Sequence, residues 1–592
     1  MMAAQTAADE VMVSDCREVY EFKMSRGKPI VKNKVSITYS TLRDYGVKVQ
    51  PAVFYGDNIT LDASSCSGKP VPQNRSATPE NVFYDDSRVC YYNVTLSRSN
   101  RECRATFERT FTDLHYFTRV LLGEQYYIKH KKVTFIIPKQ MSDYRVVEKN
   151  LSPAVKVERA EKGANRIITY VINDMQALKD EDNAPAMASA SPVVYVVGSF
   201  SDAHDMFAWS LALADVDTSI PTLDEILAAI EHQGQGDEDK IRNTFAWVQD
   251  NIRYVAFEAG VSKHQPDAPA QVVRKRYGDC KGMALLLKTL LVAQGFDARL
   301  TDVGTRETSC LMSEIPTLAA INHAICTLEW QGKTYYLDPT CNHIPLGHIP
   351  SNVQGVEVMV EQPGASGSLR TVPVLPITAN SDSVRIDLHL NHSWQLEGSI
   401  SRWFKGDMKE LMLTRYDQHE AADRKQLIYN AMNDNDHANR LESVAWQDRD
   451  SRSEWAVLTA TMTDGHSVEQ VDRELFVELD PDNMLLSSLI DTTDRQNDYL
   501  LPFPCHQVRE VVLQVPAGYR CDALPGNYIM NDEVGELSCT YQLVGDKVVY
   551  RKVMNVCNPH IKRGYITTWN SHLKQWNEHS HEQVVLSRQS SQ

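Results

Sequence analysis

The chain has little of what marks a membrane, metal or nucleotide protein. No apolar run approaches the ~20 residues that a membrane-spanning helix needs. Twelve cysteines are scattered through 592 residues with no CxxC pair. They are too sparse for a disulfide scaffold and wrongly spaced for a zinc ribbon. There is no phosphate-binding GxxxxGK[ST] loop, no GxGxxG after a strand and no EF-hand loop, so no cofactor is implied. Basic residues are in deficit, with 61 Lys+Arg against 77 Asp+Glu and a net charge of −16. That balance argues against a general nucleic-acid binder or a binder of anionic membranes. The start, Met1 to Cys16, includes Asp9 and Glu10 and lacks the basic start and apolar core of a secretory leader. The expectation is either a cytosolic chain or one that begins after a removed leader. No repeat of solenoid or propeller period is present.

What is there is globular, with 42% apolar and 23% charged residues, over a length that suits about three to five domains. The first third reads as strands. Val133–Pro138 is a short apolar run closed by proline, and Arg166–Ile172 is β-branched and aromatic. Strands with polar turns between them predict an antiparallel β-sandwich over 1–195. The acidic, then Ala/Ser/Pro-rich stretch Lys179–Pro192 reads as a surface loop. From about Asp202 the period becomes helical. Met206, Trp209 and Leu213 suggest one short helix and Thr222–Ile230 another. A longer one starts at Asp237, with Ile241, Phe245, Val248 and Ile252 on one face and acidic residues at its positive end. After about Arg370 the chain is β-rich again, with Val384–Leu390 in clean alternation and Val511–Pro516 and Val548–Tyr550 as further strands. A helical insert spans Asp407–Asn433. The domains expected are thus 1–195, 196–370 and 371–592.

Chemistry concentrates in Tyr277-Gly278-Asp279-Cys280-Lys281-Gly282-Met283. Asp279 is a good N-cap and Gly295 a good C-terminal stop. The residues between them, from Met283 to Leu291, are apolar almost all round, as in a helix at the centre of a domain. Cys280 therefore falls at a helix start. There, with a neighbouring protonated histidine, a thiol becomes a stronger acid and a nucleophile. Taken alone, a cysteine is better explained as a small buried hydrophobe.

The companions of Cys280 are His323 and Asp338. Residues 323–330 and 333–339 read as strands joined by a two-residue Gln331-Gly332 turn, which pairs Trp330 with Lys333. In that register Ile325 faces Asp338. His323 and Asp338 then share one face as diagonal neighbours, about 7–8 Å apart at Cα. A three-residue turn would put them on opposite faces. The carboxylate would orient the imidazole, which would take the thiol proton and later return it to the leaving group. The backbone N–H of Cys280 is a natural oxyanion donor, and Trp247, Tyr254 and Gln265 are the types available for a second. Cys341, His343 and His348 do not complete a tetrahedral metal set and read as a loop beside the cleft. His579 and His581 read as solvated.

The ordered set YGDCKG around Cys280, NHAI around His323 and YYLDPT around Asp338 resembles the transglutaminase-like superfamily, within the papain-like thiol enzymes. Asn251–Tyr254 and Pro269-Ala270 fit as well, and the resemblance covers about Asp202 to Val360 in detail. The flanks resemble bacterial β-rich domains of unknown function, the rear one through Asp498–Asn558. The resemblance implies an α+β multidomain protein: an N-terminal β-sandwich, a central papain-like α+β domain and a C-terminal β-rich domain. It implies Cys280 as nucleophile, His323 as base and Asp338 as orienting acid in acyl transfer from an amide or peptide bond of a protein or peptide substrate. Hydrolysis is favoured over cross-linking, because ~55 M water competes in an open cleft. The alternative is a non-catalytic module binding proteins or glycans on the same scaffold. Bacterial relatives of this layout are generally exported. Relatives often carry an acidic residue where this chain has Gly282.

Overall fold

The computed structural model describes residues 11–77, 84–85, 87–234, 236–258, 264–364, 366–433, 440–480, 484 and 486–589. Asp9 and Glu10, on which the leader reading leaned, lie outside them. Among the described residues no helix is long and apolar enough to cross a membrane.

The front of the chain is a seven-stranded sheet with smaller sheets packed on one face. Its strands are β1 (Val11–Ser25), β2 (Lys28–Thr41), β3 (Ile59–Cys66), β4 (Glu102–Phe111), β5 (Tyr127–Pro138), β6 (Val155–Lys162) and β7 (Asn165–Met175). They run in the order β6-β7-β5-β1-β2-β4-β3. Alternation along β1 buries Val11, Val13, Tyr20 and Phe22. These meet Val49, Val53, Val194 and Val196 of the smaller sheets in one core, which makes the sandwich. The expected all-antiparallel layout is corrected at one place: β1 and β5 run parallel, their connection passing through the intervening strands. The stretch Lys179–Pro192 is also more than a surface loop. The Glu181 carboxylate accepts from the backbone N–H groups of Gln496 and Asn497, and Asn183 O accepts from Leu500 N. It clasps the rear of the molecule, and Met187–Ala190 within it is a turn of helix.

The middle is α+β. Helices α1 (Ala203–Leu213), α2 (Leu223–Glu231), α3 (Asp237–Asn251), α4 (Pro269–Lys275) and α5 (Cys280–Ala293) lead into a five-stranded antiparallel sheet. Its strands are β8 (Asp297–Val303), β9 (His323–Trp330), β10 (Lys333–Leu337), β11 (Glu357–Gln362) and β12 (Ser366–Thr371), in the order β10-β9-β8-β11-β12. Met283, Leu286, Leu287, Leu290 and Leu291 of α5 are fully buried between α3 and the Ala298, Cys326, Leu328 and Leu337 face of the sheet. A helix apolar on nearly every side needs such a sandwiched position.

The rear is an eight-stranded sheet built from β13 (Ser381–Leu390), β14 (Leu396–Lys405), β15 (Arg440–Asp448), β16 (Trp455–Asp464), β17 (Cys505–Gln514), β18 (Tyr528–Asn531), β19 (Gly535–Val544) and β20 (Lys547–Val556). The order is β15-β16-β14-β13-β17-β20-β19-β18, with β13 and β17 parallel. The expected insert is two helices, α6 (Asp407–Gln418) and α7 (Ala421–Asn433). A further helix, α8 (Ile566–Ser580), fills the rear core with Trp569, Leu573 and Trp576. The sequence reading passed over it. His579 and His581 at its end are half-exposed, and His581 is paired with Glu478.

Candidate active site

Each side chain of the Cys280 constellation is set by a local rule. Asp279 caps α5, its Oδ1 accepting from Gly282 N at 2.9 Å. This leaves Cys280 in the first turn, where backbone N–H groups have no intrahelical acceptor. Gly295, at φ +87°, lies two residues past the last helical residue, Ala293. The β9–β10 hairpin turns through Gln331 and Gly332, both at positive φ, and pairs Trp330 with Lys333 and Cys326 with Leu337. That is the register expected from the two-residue turn. Asp338 follows directly on the end of β10.

In this geometry the Nε2 of His323 donates to Asp338 Oδ2 at 2.7 Å. Asp338 is 1% exposed, and its Oδ1 accepts from Thr340 N at 3.0 Å and from Thr340 Oγ1 at 2.6 Å. Burial alone would raise the Asp338 pKa, but the charge of His323 and these hydrogen bonds hold it below the ordinary carboxylate value. Burial would likewise lower the pKa of His323. The Asp338 charge and hydrogen bond, joined by the influence of the neighbouring Cys280 side chain, raise it well above the usual imidazole value.

Cys280 and His323 open on a cleft of about 540 Å³. Its floor comes from the core, including Tyr254, Lys281 and Asp302. Its opposite wall is formed by Phe54, Tyr55, Tyr116 and Arg119 of the front sandwich. Nothing local in the sequence joins residues 54–59 to Cys280, and the sequence reading did not name this wall. Of the three oxyanion candidates, Tyr254 lines the cleft. Trp247 packs on the core beside Arg276, and Gln265 is exposed outside the lining.

The loop after Asp338 is held from the rear. Glu410 of α6 accepts from Asn342 N at 3.1 Å and His343 N at 2.6 Å. Asp407 accepts from Ser351 Oγ at 2.5 Å. His343 and His348 lie beside Asp417 and Asp407. Among the described residues no group of three or more His, Cys, Asp or Glu is placed to hold a metal. Gly282 has a packing reason. A Cβ there would lie 3.2 Å from Val272 Cγ2 of α4, so a larger residue at this position needs the Val272 methyl to give slightly.

These observations define a papain-like thiol-enzyme fold. Residues 224–324 match the family model of the transglutaminase-like superfamily, and residues 475–586 match a domain of unknown function, DUF3858. The chain therefore carries a transglutaminase-like core flanked by β-rich regions. A candidate protease of Parabacteroides distasonis ATCC 8503 shares the fold over 98% of this chain and 100% of its own, at 12% identity and a TM-score of 0.61. A candidate cysteine protease of Cytophaga hutchinsonii overlaps 52% of this chain and 76% of its own, at 11% identity and a TM-score of 0.16. No curated protein matches the chain.

Proposed function

We propose that this chain is a thiol enzyme of acyl transfer acting on amide or peptide bonds, with Cys280 as nucleophile, His323 as general base and Asp338 as its orienting carboxylate. The observation that carries the reading is the His323–Asp338 pair, bonded at 2.7 Å, standing beside the Cys280 thiol on one cleft. Asp338 accepts from Nε2 and favours the imidazolium, so in the resting pair the Cys280 proton already sits on His323 and the thiolate attacks the carbonyl. The tetrahedral oxyanion forms near the N-terminus of α5, where the Cys280 N–H is one donor and Tyr254, which lines the cleft, is the candidate for the other. His323 then protonates the leaving amine, and a thioester remains on Cys280. Water releases the acid and an amine releases a new amide.

Hydrolysis is the favoured outcome, because water outnumbers any amine in an open cleft. The substrate is a protein or peptide, in keeping with the aromatic and polar wall. The division into 1–195, 196–370 and 371–592 goes with this reading, the front part lending the cleft a wall and the rear part bracing the Asp338 loop.

The test is mass spectrometry of the protein incubated with a peptide mixture and an isotope-labelled primary amine. New termini mean hydrolysis, and incorporated label means transamidation. If neither product depends on Cys280, the non-catalytic binding module replaces this reading.

A further inference from the structure

Asp302 is a polar residue of the cleft for which the proposed chemistry has no use. It stands on β8 opposite Ala324 and next to Val303, which pairs with His323. Alternation turns it to the sheet face that carries α5, and it lines the cleft together with Cys280 and Lys281. Ser210 of α1 lies near enough to its carboxyl to pull the pKa down. Its Oδ2 is buried and has no hydrogen-bond partner. Lys281 acts on it through its field, but the Lys281 ammonium is bonded to Asp279. A buried carboxylate oxygen without a donor is costly, and in a native structure it calls for a partner such as a water, an ion or a ligand group.

The surroundings specify the donor. Asp57, Asp279, Asp302 and Glu307 line the same cleft against Lys281, Arg119 and the His323 imidazolium, so carboxylates outnumber these cations by four to three. Phe54 and Tyr116 add aromatic faces, which accept a cation. A neutral N–H would satisfy the orphan oxygen but not the excess of negative charge. An ammonium does both. Burial pushes the Asp302 pKa up to about 6, against the opposing pull of Ser210 and Lys281. The carboxyl is therefore ionised at neutral pH with little holding it, the state in which it gains most from a cation.

We propose that Asp302 is a specificity-determining residue that binds a primary ammonium group carried by the substrate beside the carbonyl presented to Cys280. The proposal rests on the reading of Cys280 as the reacting centre only for where the carbonyl lies; the ammonium site itself stands on Asp302. The ammonium has two possible sources, the free α-amino end of a peptide or a lysine-type side chain.

The test uses the full-length Cys280→Ala protein, in which binding is measured without turnover, and isothermal calorimetry at about pH 7.5. Three peptides of one sequence are compared: free amino terminus with norleucine, acetylated terminus with lysine, and acetylated terminus with norleucine. One of the two ammonium-bearing peptides should bind about tenfold or more tighter than the neutral one, and which one identifies the source. Adding Asp302→Asn should bring that preference to within about twofold while leaving the neutral peptide's affinity unchanged. Equal binding of all three peptides, no binding by any at millimolar concentration, or a preference that survives Asp302→Asn overturns the proposal. The ligand series decides even if the Asn variant folds poorly. Because the thiol is absent, failure of the acyl-transfer reading appears in the product analysis and not here.

Discussion

Asp338 in the core and Asp480 in the rear are both fully buried carboxylates ringed by donors, and they serve different ends. Asp480 accepts from Arg509 Nη1 at 2.7 Å and Tyr550 OH at 2.7 Å, with Lys552 Nζ at 3.3 Å. Lys552 in turn lies over the Trp576 ring and bonds Ser580, so this network closes on itself inside the core. Burial there even draws the pKa of Arg509 down to about 10. The Asp338 network has similar bonds but one open end, since His323 reaches Cys280 at a cleft. Buried charge by itself marks architecture. Buried charge that ends beside a thiol at an open cleft is what the proposed site adds.

Substitutions should separate the two networks. Cys280→Ala should abolish turnover, by on the order of 10³-fold or more, with the melting temperature unchanged; a product yield equal to wild type would put the reaction elsewhere. Asp480→Ala should do the reverse. It strands Arg509 and Lys552 and should cost about 3–5 kcal/mol in denaturant unfolding, while folded protein at low temperature keeps its kcat. Asp338→Asn falls between them, with kcat down about 10²-fold or more and a measurable loss of stability.

Labelling sharpens the contrast within one residue type. Burial pushes the thiols of Cys66, Cys326 and Cys505 up to about 12 and that of Cys539 up to about 11. Limiting iodoacetamide at about pH 6–6.5 should modify Cys280 first. The exposed Cys557 is the control for accessibility, and faster reaction there would count against an activated Cys280.

The smallest effect is on the pH dependence of stability. His323 has a folded pKa above its ordinary value of 6.5. Its ion pair therefore contributes fully below 6.5 and is lost as pH rises through the elevated folded value. Asp338, with its pKa lowered from 3.8, contributes above 3.8 and loses that contribution as pH falls through its folded value. His323→Gln should flatten the alkaline decline in unfolding free energy that wild type displays.

The parts of the candidate site legible in sequence are those fixed by short-range geometry. The Asp279 cap, the all-apolar α5 and the Gln331-Gly332 turn each determine a position from a few neighbours, and the turn alone puts His323 and Asp338 on one face. What the sequence did not reveal is long-range or masked by composition. The cleft wall at Phe54 and Tyr55 comes from a strand more than two hundred residues before Cys280. The parallel β1–β5 pair has no local signature. In α8 the buried Trp569, Leu573 and Trp576 follow a helical i, i+4, i+7 spacing, but the polar residues between them gave the stretch a solvated look. Asp302 sits in an ordinary strand, and only the three-dimensional placement of α1 and α5 shows that its outer oxygen is unmatched.

The grip of Glu410 and Asp407 on residues 342–351 bears on how this protein can be dissected. A fragment ending near residue 370 would retain every member of the Cys280 constellation and yet lose the two carboxylates that fasten the segment next to Asp338. Such a minimal unit should be expected to fold with a loose acid and a poorly aimed imidazole. For the same reason, grafting the rear region of one relative onto the core of another would succeed only where acidic side chains recur at the start of the equivalent helix.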